Sequence, residues 1–354
     1  MTNTNLFTLM RSITLWALSL ALLLPACSYA KNKKDSKLSQ APLSPVHEEE
    51  PSKEEIKSLT AEDIAISRHL LYDKHTLEDR YAYKDTFRTI DWQGIAQHIA
   101  LVENMQQQEV LWAVLQNYKN KNGEAPLVKN WHRDEYDLAS DDYGVARYQS
   151  IPLYALGDTL LPERYGRDGS PVYLLDTTDN FWRIRHVAIE GEWLAPRKYI
   201  KTLGSSDSVT FDRVAVIDRD QQNIVALQRV ERGRWQAISI NPCTTGKHRP
   251  PYGHETPLGT YVVQDKKEKM YYLHDGKNTV AGYAPFASRF TNGAYLHGVP
   301  TQHPKAAYQE WSWSLGTTPR SHMCVRLASS HAAFLYKELR PYRSLVIVMS
   351  RAGV

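Results

Sequence analysis

Apolar and polar positions divide the chain into stretches of different character. Ile13-Thr14-Leu15-Trp16-Ala17-Leu18-Ser19-Leu20-Ala21-Leu22-Leu23-Leu24 is an almost unbroken apolar run, too short to span a bilayer comfortably. Lys31 to Lys57 is rich in Lys, Glu, Ser and Pro and nearly devoid of large apolar residues. Such a stretch buries too little surface to offset its ordering entropy and reads as a flexible tether over 31–57. Between Asp91 and Tyr118 the apolar residues Ile95, Ile99, Val102, Met105, Val110, Leu111, Val114 and Leu115 recur at roughly helical spacing, which predicts a helix ended by the Asn, Gly and Pro of 120–126. With a second helix start at Thr60, residues 58–130 are expected to form a small helical module. From Tyr143 the pattern shortens to β runs between turns, including Pro171–Asp176, Phe181–Arg185 and Gly191–Leu194. Strands set this closely predict a small barrel over 143–205.

A second β region begins at Val209. Arg213–Ile217 and Ile224–Leu227 read as a hairpin, Trp235–Ile240 as a third strand, and Thr256–Val263 as a turn followed by a strand. A helix near His331–Leu339 and a closing strand Leu345–Met349 complete a domain at 209–352. The fold class expected is mainly β and multidomain.

Composition narrows the function. With 354 residues, 21 Tyr and 9 Trp the chain is globular, and a net charge of +4 without a basic stripe gives no case for nucleic-acid binding. Cys27, Cys243 and Cys324 make no disulfide framework. The basic start and apolar run form a secretory signal over 1–30. Its end reads two ways. Leu24-Pro25-Ala26-Cys27 resembles a bacterial lipobox, which would lipidate Cys27, whereas Ser28-Tyr29-Ala30 resembles an ordinary small-x-small cleavage site. Either way the mature protein is expected to be exported to the cell envelope, periplasmic, with a lipid anchor to the membrane if Cys27 is modified.

The chemistry concentrates near the C-terminus. In Ser321-His322-Met323-Cys324-Val325-Arg326-Leu327 a cysteine stands beside a histidine and an arginine, and His297-Gly298 closes a strand-like run upstream. A free thiol with a pKa near 8.5 is only a few per cent thiolate at pH 7. A nucleophilic Cys324 therefore needs a base or a positive field, for which His297, His322 and Arg326 are the local candidates. Zinc is the competing use of these side chains, but His322-Met323-Cys324 lacks the usual ligand spacing. A papain-like enzyme would carry its Cys well before its His.

Thr245-Gly246, Thr256-Pro257-Leu258-Gly259-Thr260-Tyr261, His297-Gly298 and Ser321-His322-Met323-Cys324-Val325-Arg326-Leu327 follow one another in the order found in the L,D-transpeptidase catalytic domains of bacterial cell walls, and residues 209–350 resemble that family. Trp182, Gly191-x-Trp193-Leu194 and Tyr199-Ile200 resemble bacterial SH3-like domains. The resemblance implies a C-terminal mixed β-sandwich behind a central SH3-like barrel and the N-terminal helical module. It implies Cys324 as nucleophile and His297 as general base, oriented by the Gly298 carbonyl. His322 and nearby amides would stabilise the oxyanion, with Ser321 and Arg326 in support. Tyr272 lies in the place of the family's flap, Trp313 is a candidate wall of the substrate groove, and Met323 stands where the family usually has Gly. The implied substrate is a peptidoglycan tetrapeptide stem cleaved before its terminal D-Ala, with no metal or organic cofactor. Transfer to another amine, hydrolysis as an L,D-carboxypeptidase, and a non-catalytic wall-binding lipoprotein remain open, as does oligomeric state.

Overall fold

The structure, a computed structural model, describes residues 57–351. The expected signal segment 1–30, Cys27 and all of the tether except Lys57 lie outside the described residues.

The centre of the molecule is a six-stranded mixed sheet in the spatial order Ala65–Arg68, Arg234–Pro242, Asn223–Glu231, Arg213–Asp218, Ser344–Met349, Gly259–Val262. Arg213–Asp218 runs parallel to Ser344–Met349, pairing Val214 with Leu345 and Val216 with Ile347. Because strand side chains alternate between faces, these four look to one side, into a core with Ile95, Ile99 and Val102. Ala215, Ile217, Val346 and Val348 look to the other, into a core with Phe290, Leu296, Val325 and Leu327. Both faces are covered, which is why these strands read as continuous apolar runs rather than alternating ones. The second core is closed by a four-stranded sheet, in the order Asp265–Leu273, Val280–Thr291, Ala294–His297, Val325–Arg326, and by the helix Ser329–Glu338.

Residues 58–130 differ from the helical module that periodicity predicts. The helix is shorter, Trp92–Gln106, capped by the Asp91 side chain on the Gly94 amide. Beyond it the six apolar residues Val110 to Leu115 include a strand, Leu111–Leu115, in which Trp112, Ala113, Val114 and Leu115 are fully buried. An unbroken apolar run with Trp and Val suits a strand covered on both faces better than one stripe of a helix. Ala65–Arg68 is likewise a strand, added in parallel to the edge of the central sheet beside Arg234–Pro242.

Leu111–Leu115 also changes the region expected as a barrel. It enters a five-stranded sheet between Pro171–Thr177 and Ile200–Ser205, in the order Glu192–Pro196, Phe181–His186, Pro171–Thr177, Leu111–Leu115, Ile200–Ser205. The outer strands do not pair with each other, so among the described residues this sheet is open and no closed barrel forms. Trp182 and Trp193 are part-buried against its core.

Candidate active site

The motifs scattered over 80 residues of sequence are tied into one knot by backbone hydrogen bonds. Arg320 and Ser321 both donate their amides to the Thr245 carbonyl, at 2.9 and 3.1 Å, and Ser321 returns its carbonyl to the Lys247 amide at 2.9 Å. Thr244 and Arg326 exchange both backbone bonds at 2.9 Å. The Thr256 hydroxyl accepts from the Gly246 amide at 2.8 Å and donates to the Met323 carbonyl at 2.7 Å. Gly246 allows this crossing, since a Cβ there would stand 2.2 Å from the His254 carbonyl oxygen and 2.7 Å from the Met323 Cα. The Ser321 hydroxyl donates to the Cys324 carbonyl, closing the turn. Ser321 thus holds the backbone at Cys324.

Register places the reacting side chains. Ala294–His297 and Val325–Arg326 pair in parallel, Leu296 against Val325 and His297 against Arg326. Leu296 and Val325 are core residues, so His297 and Arg326 project to the opposite face. Cys324, two residues before Arg326, shares that face, and all three line one cavity of about 520 Å3. Met270 and Tyr272 form a wall, and His274 to Asn278, with Tyr252, stand at its edge.

His297 is buried, and its Nδ1 lies 2.6 Å from the Gly298 carbonyl oxygen. A carbonyl only accepts, so Nδ1 carries the proton and Nε2 keeps its lone pair. Burial holds the ring's pKa down to about 4, with Arg326 acting in the same direction and the Gly298 carbonyl against it. Cys324 is pushed up to about 11 by burial, partly offset by the Tyr295 amide and Arg326. Its Sγ lies 3.5 Å from the Gly293 carbonyl oxygen. At rest the two groups are therefore a neutral thiol and a neutral imidazole. Arg326 is largely buried, its Nε has no hydrogen-bond partner, and among the described residues it forms no ion pair. Its positive charge faces Cys324 and Tyr272 without a carboxylate to absorb it.

Other expected residues lie differently. His322 reaches the edge of the same cavity, but its Nε2 is 2.9 Å from Arg249 and 3.2 Å from Asp275, which are themselves 3.1 Å apart. The imidazole expected at the oxyanion is thus held in a surface cluster. Tyr272 lines the cavity with its ring while its hydroxyl donates to the Thr301 carbonyl. Trp313 is 70% exposed with the Arg320 guanidinium 4.2 Å over its ring, and does not line the cavity. Met323 faces a different cavity and adopts φ 127°, a conformation that favours glycine. His303 is exposed and outside the Cys324 cavity. Cys243 is a free, fully buried thiol in the core, unpaired with Cys324. The Gly293 carbonyl, the Thr256 hydroxyl and the Arg249–Asp275 pair carry no signal of their own in sequence, because only the crossing of distant loops brings them here.

Residues 212–348 match the YkuD family model, the L,D-transpeptidase catalytic domain. Solved structures similar to the chain include an L,D-transpeptidase from Mycobacterium smegmatis, at 17% identity over 52% of this chain and 93% of that one, with a TM-score of 0.32. Another, from Mycobacterium tuberculosis H37Rv, is 21% identical over 45% of this chain and 71% of that one, with a TM-score of 0.30. A third, from Stackebrandtia nassauensis, is 20% identical over 42% of this chain and 62% of that one, with a TM-score of 0.28. Comparison with curated proteins gave no match. The C-terminal region thus matches the catalytic domain of the L,D-transpeptidases, a peptidoglycan enzyme family. The match to the YkuD family model covers that region alone and stops short of 143–205.

Proposed function

We propose that this protein is a cysteine-dependent peptidoglycan L,D-transpeptidase, exported to the cell envelope and anchored there through Cys27. The observation that carries the reading is the placement of Cys324 and His297 on one face of a parallel strand pair and in one cavity, with the imidazole tautomer fixed by the Gly298 carbonyl. The neutral His297 Nε2 takes the thiol proton as sulfur attacks the carbonyl before the terminal D-Ala of a tetrapeptide stem. Arg326 and the Tyr295 amide stabilise the negative charge arising on sulfur, and the backbone amides of the Met323–Cys324 turn are assigned as donors to the tetrahedral oxygen. Collapse breaks the C–N bond, D-Ala leaves with the proton from His297, and a thioester remains on Cys324. An acceptor amine then displaces the sulfur to form a new peptide bond.

Mass spectrometry of the purified soluble chain with a tetrapeptide stem tests this. Loss of D-Ala with a cross-linked product supports transpeptidation, and tripeptide alone replaces it with an L,D-carboxypeptidase. No reaction, with Cys324 also inert to thiol reagents, leaves a wall-binding lipoprotein. Retention of the chain in the membrane fraction, lost in Cys27→Ala, tests the anchor.

A further inference from the structure

A second cavity, of about 810 Å3, reaches the Cys324 turn from its other flank, through Met323 and Gly293. The facing wall comes from residues 134–189, which lie outside the matched catalytic domain. Three buried polar atoms of residues in this lining have no partner: His186 Nε2, Arg164 Nε and Asn292 Oδ1. His186 is 8% exposed, and its Nδ1 accepts from the Ala188 amide at 3.0 Å, so the ring proton sits on Nε2 as an unused donor. The Arg164 guanidinium lies 3.6 Å over the Tyr143 ring and forms no ion pair among the described residues. Asn292 is 9% exposed, and its amide donates to Asp168 at 3.0 Å, which fixes the residue. The next carbonyl, that of Gly293, is the one that touches the Cys324 thiol.

Acids of the lining are already engaged. Asp134 accepts from the Tyr136 and Leu138 amides and the Ser140 hydroxyl, Glu135 lies 3.0 Å from His248, and Glu255 lies 3.5 Å from Arg219. Arg167, also of the upstream wall, donates to the Gly144 carbonyl at 3.1 Å; what remains buried and unpartnered is a cationic donor and a neutral donor on that wall, and an acceptor beside Cys324. Buried polar groups in proteins are almost always satisfied, so this set calls for a ligand with a carboxylate at one end and an N–H donor at the other.

Resting on the transpeptidase reading above, we propose that this cavity holds the acceptor as an amino acid or peptide terminus, its carboxylate on Arg164 and His186 and its amine on Asn292. The amine nitrogen attacks the Cys324 thioester from the Gly293 side. The C–N bond forms as C–S breaks, and the amine proton passes through His297 back to the sulfur. Residues 134–189 thereby choose the acceptor while the matched domain performs the chemistry.

The full soluble chain is assayed with a tetrapeptide donor and, as acceptor, either D-methionine or D-methioninamide, which lacks the carboxylate. The expected result is half-saturation by D-methionine at about tenfold lower concentration than by the amide, in keeping with a charge-assisted contact. Arg164→Gln should abolish that preference and Arg164→Lys restore part of it. Release of D-Ala in the first turnover, with no acceptor added, reads the donor side separately. Equal damage by Arg164→Gln to that step and to acceptor use, or an unchanged preference, would overturn the proposal. If the wild-type chain releases no D-Ala, the transpeptidase reading itself falls. Saturation-transfer NMR of D-methionine on Cys324→Ala then decides the cavity alone: a signal lost in Cys324→Ala/Arg164→Gln supports it, and no signal overturns it.

Discussion

Arg289 Nη1 lies 2.6 Å from Asp168 Oδ2, and both side chains are buried. Asp168 belongs to the upstream region and Arg289 to the catalytic sheet, so one ion pair joins the two. The same carboxylate accepts from the Asn117 amide at 2.8 Å, and from the Gln264 side chain and the Asn292 amide at 3.0 Å each. Asn292 precedes the Gly293 carbonyl at the thiol, so the pair also fixes one edge of the active site.

Removing one member of such a pair strands the other charge in the interior. Asp168→Asn is expected to destabilise the chain by about 3–5 kcal/mol, as measured for broken buried pairs. Urea unfolding followed by tryptophan fluorescence checks this, and a loss below about 1 kcal/mol would show that the carboxylate is replaceable by an amide.

Much of this site was legible because its reacting groups sit in short ordered motifs. His297-Gly298 and Ser321 to Leu327 are contiguous in sequence, and parallel pairing of the two segments brings them together. The closing strand Ser344–Met349 and the hairpin Arg213–Asp218/Asn223–Glu231 were legible for a similar reason, as apolar runs bounded by polar turns. The upstream region was not. Val110 to Leu115 continues a helical pattern on paper, yet Trp112 to Leu115 are fully buried and tertiary pairing turns the run into a strand. Trp313 looked like a groove residue from proximity in sequence, whereas its fold position puts it under Arg320.

The two cysteines of the described chain should separate cleanly. Cys324→Ala is expected to reduce D-Ala release to below about a thousandth of wild type, because no other group replaces the nucleophile. Cys243→Ala removes a sulfur from the apolar core at a residue that does not line the Cys324 cavity, and most turnover should survive it. Equal losses in a coupled D-Ala assay would contradict a single nucleophile.

Titration of the resting site follows from its burial. With the thiol pushed up to about 11, alkylation of Cys324 by iodoacetamide should rise about tenfold per pH unit from 7 to 10 without levelling off, since the thiolate is the reactive form. Arg326→Gln, which removes the cation holding that value down, should slow alkylation at any fixed pH. On the acid side His297 stays neutral until about pH 4, so kcat/KM should fall only as pH drops through that value. A plateau in alkylation near pH 8.5 would show an unburied thiol.

Three buried histidines also link stability to pH. His186 and His331 are held down to about 3 and His297 to about 4, each by burial, from an ordinary 6.5. Below 6.5 the unfolded chain takes up protons that the folded chain refuses. The stability these residues contribute is therefore complete above about pH 6.5 and is lost as pH falls from there toward 3–4. The slope is about 1.4 kcal/mol per pH unit for each histidine fully titrated. Ser239 lies 2.9 Å from His331 Nε2, leaving Nδ1 unpartnered. His331→Gln should lower the slope between pH 6 and 4.5 by about 1 kcal/mol per pH unit, whatever it does to stability at pH 7. Denaturant midpoints across that range decide it, and an unchanged slope would mean that His331 is not titrating.

Met323 gives the sharpest test of local backbone. Its φ of 127° disfavours any residue with a Cβ, while the Thr256 hydroxyl on its carbonyl and the Gly246 backbone beneath it hold the turn in place. Its side chain is part-buried against the core, so removing it loses some packing in every variant. Alanine and glycine lose the same atoms apart from one methyl, which isolates the backbone effect. Met323→Gly should therefore be more stable than Met323→Ala by about 1–2 kcal/mol, the usual range for a residue held in a sparsely populated region. The ordinary ranking, with glycine less stable through its greater unfolded-state entropy, is expected to be reversed at this position. Thermal unfolding of the two variants side by side measures the difference, and alanine proving the more stable would show that the turn relaxes away from this conformation.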